Sequence, residues 1–213
     1  MSYKTLVTMN IAIIGTGKMV ESLAEGLALA GHNIYLATKN EDEKINEYLF
    51  DEYDNIFLNT IEDAASNAEV IIIATPPEYV REVAYLLDDV RKKVIIDASL
   101  IPVERTREYI HSVNAIKAIT SSPFVIRCFN CTDYNDLFES KLKNRTIDMF
   151  VAGDSKKAKA MARALCKDLN FTDCYDFGDN NSIQLLEDMA RFWQNFVCNQ
   201  ERGSKLAIKL LKK

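Results

Sequence analysis

The run Asn10-Ile-Ala-Ile-Ile14 is apolar and β-branched and stops at Gly15-Thr-Gly17, and no other feature restricts the fold of this chain as strongly. An unbroken apolar stretch of that length predicts a strand buried on both faces of a parallel sheet. Directly behind it, Leu23, Leu27 and Ala30 recur at three- and four-residue spacing between Lys18 and Ala30, and Gly31 stands where a left-handed helix cap is wanted. A buried strand that turns into a helix through two glycines cannot stand alone. It needs parallel neighbours on both sides.

Those neighbours are visible further along. Ile34–Ala37, Val70–Ala74 and Val94–Ala98 predict strands, while Glu41–Glu52, Glu78–Val90 and Val103–His111 predict helices. Phe124–Phe129, Ile147–Ala152 and Thr172–Phe177 read as later strands, and the Ala-rich stretch Ser155–Leu169 as a helix with Gly153-Asp154-Ser155 at its N-cap. Strands alternating with helices predict an α/β fold, a Rossmann-type doubly wound, mostly parallel sheet. In such sheets ligands sit at the carboxyl ends of the strands, so the loops starting at Gly15, Thr38, Thr75 and Ser99 should converge on one crevice.

Ile183, Leu186, Met189, Trp193, Phe196 and Val197 then follow helical spacing, and Gly203 separates them from a basic coda, Lys205–Lys213, read as a solvated terminal helix. With no repeats or Pro/Ser-rich linkers, residues 1–213 read as a single domain. Its sheet and helices cover about 10–178 and a C-terminal helical segment covers about 181–213. That C-terminal helix should pack on its own body or on a second copy, giving a homodimer.

Composition removes several function classes. With 213 residues, 48% of them hydrophobic, the chain can bury a core without disulfides. The 26 Lys and Arg against 31 Asp and Glu leave a net charge of −5, so no whole-chain basic field exists to hold nucleic acid or an anionic membrane. No apolar run approaches the roughly 20 residues of a membrane helix, and Met1–Asn10 has one Lys and no apolar core of a signal peptide. The expectation is a cytoplasmic protein with reduced thiols, its five cysteines being an odd number.

The chemistry concentrates at strand ends. Gly15-Thr16-Gly17-Lys18-Met19-Val20 joins a strand to a helix, the setting in which paired glycines bind a dinucleotide. The first glycine makes the turn, the second admits a pyrophosphate, and free helix N–H groups take its charge. The third position, where Gly or Ala is usual, is Val20. At the end of the second strand, where an NAD enzyme places a carboxylate on the ribose, this chain has Ala37-Thr38-Lys39-Asn40. A hydroxyl and a cation suit a 2′-phosphate and favour NADP over NAD, although Glu41 and Asp42 lie just beyond.

Ala74-Thr75-Pro76-Pro77 and Asp97-Ala98-Ser99 end two further strands and face the same crevice, where the first would lie beside the nicotinamide ribose. Asp97 also reads as a local turn or cap. Cys128-Phe-Asn-Cys131 has disulfide spacing but ends a strand rather than opening a helix, so ordinary buried and loop thiols are the expectation. No metal site is predicted, since His32 and His111 are far apart and no second Cys pair completes a zinc set.

Taken together, Ile11-Ala-Ile-Ile-Gly-Thr-Gly17, Thr38-Lys39, Ile95-Ile-Asp-Ala98, Arg127-Cys-Phe-Asn130 and Met149-Phe-Val-Ala-Gly-Asp154 resemble the NADP oxidoreductases dependent on a deazaflavin coenzyme (factor 420), which are themselves similar to the cytosolic domain of membrane ferric reductases. The resemblance implies that Gly15, Thr16, Gly17, Lys18 and Met19 hold the pyrophosphate and that Thr38 and Lys39 hold the 2′-phosphate. It places Ala74, Thr75 and Pro76 with Ala98 and Ser99 at the nicotinamide ribose, and Phe129–Thr132 along the nicotinamide face. Where the family has Asn-Pro after its turn, this chain reads Ser99-Leu100-Ile101-Pro102, so the pocket for the second substrate should differ.

The implied enzyme is an NADP-dependent oxidoreductase that passes a hydride between NADP(H) and a flavin, deazaflavin or other small redox acceptor. Asn130 is its one candidate orienting group. Two alternatives stay open. One is a small-metabolite dehydrogenase of the pyrroline-carboxylate reductase or β-hydroxyacid type, completed by a partner subunit because only a short segment follows the last strand. The other is a non-catalytic NADP-binding sensor or scaffold.

Overall fold

Side-chain alternation along β1 (Asn10–Ile14) decides the layering. Ile11 and Ile13 enter one apolar layer, Ala12 and Ile14 enter the other, and all four are fully buried. In the computed structural model, which describes residues 8–39, 45–99, 112–130, 147–196 and 207–211, this strand lies inside an eight-stranded sheet. The order is β3-β2-β1-β4-β5-β6-β7-β8, with β2 at Asn33–Ala37, β3 at Ile56–Asn59, β4 at Val70–Ile73 and β5 at Val94–Asp97. The last three strands are β6 (Val125–Arg127), β7 (Met149–Ala152) and β8 (Cys174–Gly178).

The strands from β3 to β6 pair in parallel, and the sequence of neighbours 3-2-1-4-5-6 is that of a Rossmann sheet. β7 meets β6 antiparallel through the pair Arg127 and Ala152, and β8 runs parallel to β7. The sheet is therefore mostly parallel, as the sequence predicts.

Seven helices cover it among the described residues. α1 (Lys18–Leu29), α2 (Tyr48–Glu52) and α6 (Lys156–Asp168) lay Leu23, Leu27, Leu49, Ala162 and Leu165 on the face that takes Ile11 and Ile13. α3 (Ile61–Asn67), α4 (Val80–Leu86), α5 (Ser112–Thr120) and α7 (Ile183–Gln194) cover the opposite face. α7 is the C-terminal helix anticipated from the sequence, and it buries Ile183, Leu186 and Ala190 against the sheet.

Differences from the sequence reading have local causes. β3 and α3 carry no clear periodic signal: β3 is an edge strand with Phe57 and Leu58 exposed, and α3 is two turns begun by Thr60, whose Oγ1 accepts the Asp63 N–H at 3.1 Å. The helix expected over Glu41–Glu52 is described only as Tyr48–Glu52, and the one expected over Glu78–Val90 begins as a 3-10 turn at Pro77–Tyr79 and ends at Leu86. Val103–His111, Leu100–Pro102, Asn40–Asp42, Cys131, Thr132 and Val197 lie outside the described residues.

The basic coda is corrected. Residues 207–211 form no helix and instead run beside β7, with the Asp148 N–H donating to Ile208 O and the Leu210 N–H donating to Asp148 Oδ2 at 2.8 Å. Lys209 Nζ lies 3.8 Å from Asp148 Oδ1, so a carboxylate that is only 1% exposed gathers donors that a solvated helix would not have offered.

Candidate nucleotide crevice

The turn after β1 is built by glycine because nothing else fits. Gly15 has φ +136°, its N–H donates to Ala37 O at the end of β2, and a Cβ there would stand 2.5 Å from Ala74 O at the end of β4. The turn is thus pressed against the ends of both neighbouring strands. Gly17 is the opposite case: φ is +121°, but a Cβ would meet nothing within 4 Å. Gly17 is also the N-cap of α1, and no side chain caps that helix. Open space therefore lies in front of uncapped N–H groups and the positive end of a twelve-residue helix.

Other residues of the glycine motif divide their roles. Thr16 and Lys18 are at least partly accessible, whereas Met19 and Val20 are buried in the core beneath α1. Val20, where Gly or Ala is usual, is almost fully buried and packs into that core. Met19 can offer a ligand only its backbone.

Thr38 and Lys39 follow β2, and Lys39 is already engaged. Its ammonium forms an ion pair with Glu82 of α4 and lies 4.8 Å from the centroid of the Tyr79 ring. Lys39 is about one-third exposed and Glu82 about one-half, so water reaches both. Glu82 and Tyr79 were not candidates in the sequence. Their spacing of one helical turn after Pro76-Pro77 was the available signal, but only the crossing of the two loops brings them to Lys39.

At the end of β4, Ala74 and Thr75 are buried, and Thr75 Oγ1 is enclosed with no hydrogen-bond partner among the described residues. A buried hydroxyl without a partner is costly unless something else supplies one. Pro76 begins the 3-10 turn Pro77–Tyr79, which holds the loop in an extended entry.

The end of β5 holds the most enclosed polar group. Asp97 and Arg127 are register partners on β5 and β6, exposed by 0% and 1%. Arg127 Nη1 donates to Asp97 Oδ2 at 2.7 Å and to Ser99 Oγ at 2.7 Å, while Nη2 donates to Ser99 O at 2.6 Å. Ser99 returns two bonds to Asp97 Oδ1, from its N–H at 3.1 Å and its hydroxyl at 2.7 Å, and the Ser112 hydroxyl at the start of α5 donates to Oδ2. The turn reading of Asp97 therefore holds through Ser99, and Arg127, the first residue of the Arg127–Asn130 sequence motif, is its ion-pair partner. Ala98 and Ser99 are buried, and the Ser99 hydroxyl is committed to this network. Glu187 of α7 lies behind the pair with its carboxyl pushed up, chiefly by burial, against the pull of the Arg127 guanidinium.

Beyond β6, Phe129 is buried with φ +63°, a left-handed conformation rare for an aromatic residue, and Asn130 follows it at 4% exposure. Backbone of this kind is retained where the surroundings dictate it, next to the candidate orienting group.

Among the described residues, three cysteines distant in sequence gather. Cys128, Cys166 of α6 and Cys174 of β8 come together, with their sulfurs within 4.8 Å of one another. Hydrogen bonds from the other two sulfurs hold the Cys174 thiol down at about 5, and burial pushes Cys128 and Cys166 up. His32 is structural. It is buried, its Nδ1 accepts the Met9 N–H at 3.2 Å, and its Nε2 lies 3.3 Å from Asp168 at the end of α6.

Residues 10–100 match the family described as NADP oxidoreductase, coenzyme F420-dependent. Metalloreductase STEAP3 of Rattus norvegicus is 25% identical over 179 residues, which cover 83% of this chain but 35% of that protein, so the chain spans about a third of this curated relative. A candidate F420-dependent NADP-reductase from Arthrobacter sp. FB24 superposes with a TM-score of 0.82 at 19% identity, over 96% of this chain and all of the other. A pyrroline-5-carboxylate reductase from Coxiella burnetii has a TM-score of 0.64 at 15% identity, over 86% of this chain and 64% of its own. At these identities the two solved structures show a shared fold. No helix among the described residues is long and apolar enough to cross a membrane. Through residues 10–100 the chain is thus similar to the NADP oxidoreductases of the coenzyme F420-dependent family.

Proposed function

We propose that the crevice binds NADP(H) and that the protein passes a hydride between the nicotinamide and a flat redox acceptor of the flavin or deazaflavin class. The observation that carries the reading is the pairing of an open, uncapped α1 N-terminus at Gly17 with a partnerless hydroxyl at Thr75, one strand away. The first offers N–H groups to a pyrophosphate, and the second offers a buried donor and acceptor to a ribose hydroxyl. When bound, the nicotinamide supplies the hydride chemistry.

The chain's own residues bind and orient. Lys39 takes a 2′-phosphate by exchanging Glu82 for it, with Thr38 adding a hydroxyl. The Asp97–Arg127–Ser99 network fixes the loop at Ala98 and Ser99, so the floor of the crevice does not shift as ligands enter. Asn130, set by the left-handed Phe129, positions the carboxamide side of the nicotinamide site.

NADPH oxidation assayed with flavin, deazaflavin and ferric acceptors tests the reading. Turnover with a flavin or deazaflavin is expected. Turnover only with small imines or β-hydroxyacids would replace it with the small-metabolite dehydrogenase. Tight NADP binding with no turnover on any acceptor would make the protein an NADP-binding sensor or scaffold.

A further inference from the structure

We propose that Cys128, Cys166 and Cys174 form a binding site for one thiophilic d10 metal ion, copper(I) or zinc. The three sulfurs come from the segment after β6, from α6 and from β8, and each lies within 4.8 Å of the other two. A metal bound to thiolate sulfur at about 2.3 Å separates its sulfurs by about 3.8–4.0 Å, depending on whether the site is tetrahedral or trigonal. The cluster therefore needs to close by less than about an ångström, a movement within the reach of cysteine χ1 rotation.

The donor set is selective. No histidine or carboxylate joins the three sulfurs among the described residues, and an all-sulfur set favours soft ions over magnesium, calcium or manganese. Exposures of 0%, 1% and 8% for Cys128, Cys166 and Cys174 shield the bonds from competing water. The framework is also fixed in advance. The Cys128 N–H donates to Asp97 O at 3.1 Å, Cys166 sits within the helical ladder of α6, and Cys174 is held in register with Met149.

An entry path reaches the cluster. A cavity of about 510 Å³ is lined by Cys166 and Cys174 together with Arg163, Lys167 and Asp173. Three thiolates around a monovalent or divalent ion leave excess negative charge, and the Arg163 and Lys167 cations on the cavity wall offset it. Each thiol that binds as thiolate releases its proton to solvent, and no oxidation state changes. Copper(I) can be complete with the three sulfurs, whereas zinc takes a fourth ligand from the cavity.

The test uses the full chain, reduced and stripped of metal without oxygen, then titrated with copper(I) held by a chromogenic chelator and, separately, with cobalt(II) as the spectroscopic stand-in for zinc. The expected result is one equivalent per chain with sulfur-to-metal charge-transfer absorption, and the ion that competes successfully with its chelator identifies the site. Cys174→Ser should weaken binding about a hundredfold or more, while Cys131→Ser/Cys198→Ser should retain it. NADP affinity of Cys174→Ser serves as the check that the variant is folded. X-ray absorption at the metal edge of the unmodified protein needs no variant and should show three sulfur neighbours at about 2.2–2.3 Å. A nitrogen or oxygen shell, equal affinity in Cys174→Ser, loss of binding in the Cys131/Cys198 variant, failure of both ions to compete, or a disulfide among the three cysteines would each overturn the proposal.

Discussion

Two ion pairs stand at the carboxyl end of the parallel strands, and they could hardly be more different. Asp97 and Arg127 are sealed at the junction of β5 and β6, where Ser99 and Ser112 share their hydrogen bonds. Lys39, after β2, and Glu82, in the first turn of α4, pair with water on both partners. A buried pair resists change because separating it strands a charge, while an exposed pair exchanges partners at little cost. The first is suited to holding the crevice in shape and the second to yielding to a phosphate.

The sharpest way to break the contrast is Arg127→Ala, which leaves Asp97 buried and unpaired. A loss of about 3–5 kcal/mol is expected, read as a large fall in the midpoint of thermal or denaturant unfolding, whereas Lys39→Ala should change the same midpoint by less than about 0.5 kcal/mol. In binding the ranking reverses. Lys39→Ala should weaken NADP about 10- to 100-fold while leaving NAD unchanged, since one charge-assisted phosphate contact is worth about 1.5–3 kcal/mol. Titration calorimetry with both nucleotides checks it, and equal losses for the two would remove Lys39 from the 2′-phosphate site.

Smaller effects sharpen the comparison. Glu82→Gln removes the carboxylate that competes for Lys39 and should tighten NADP by about two- to fivefold, with a stronger dependence on salt than the parent protein. Glu187 supplies the pH test of the buried network. Its folded-state pKa is raised, so the folded protein binds a proton more tightly than the unfolded chain does, and stability falls as pH climbs from the ordinary glutamate value through the raised one. Glu187→Gln should flatten that part of the stability profile and leave the alkaline side higher than in the parent. A parallel profile for the two proteins would show that Glu187 does not contribute.

How much of this was legible in the sequence depended on distance along the chain. β1, the Gly15 and Gly17 turn, α1 and the strand at β4 could be read because their signals are local: an apolar run, two glycines and a three-to-four spacing. β3 escaped because an edge strand with Phe57 and Leu58 facing water shows neither alternation nor a continuous apolar run. Lys39 could be named from its position after β2, but its partners Glu82 and Tyr79 arrive from another loop. Arg127 could be named only within the Arg127–Asn130 motif, and it is the strand register that places it beside Asp97. The thiol cluster was hidden for the same reason, since the near pair in sequence was Cys128 and Cys131, whereas among the described residues the sulfurs that meet are Cys128, Cys166 and Cys174.

The central place of β1 has a consequence for how the chain assembles. Its two partners are β2, which follows almost at once, and β4, which must wait for all of β2, β3 and α3 to be laid down. Strand contacts of that separation carry a loop-closure cost before they stabilise anything, and parallel sheets built this way fold slowly. During that interval Ile11, Ile13 and Ile14 have one unpaired flank, so the oldest strand in the chain is also the one exposed longest to misassociation. Nascent chains halted before β4 should therefore be the aggregation-prone ones, and release should come when Val70–Ile73 pairs in.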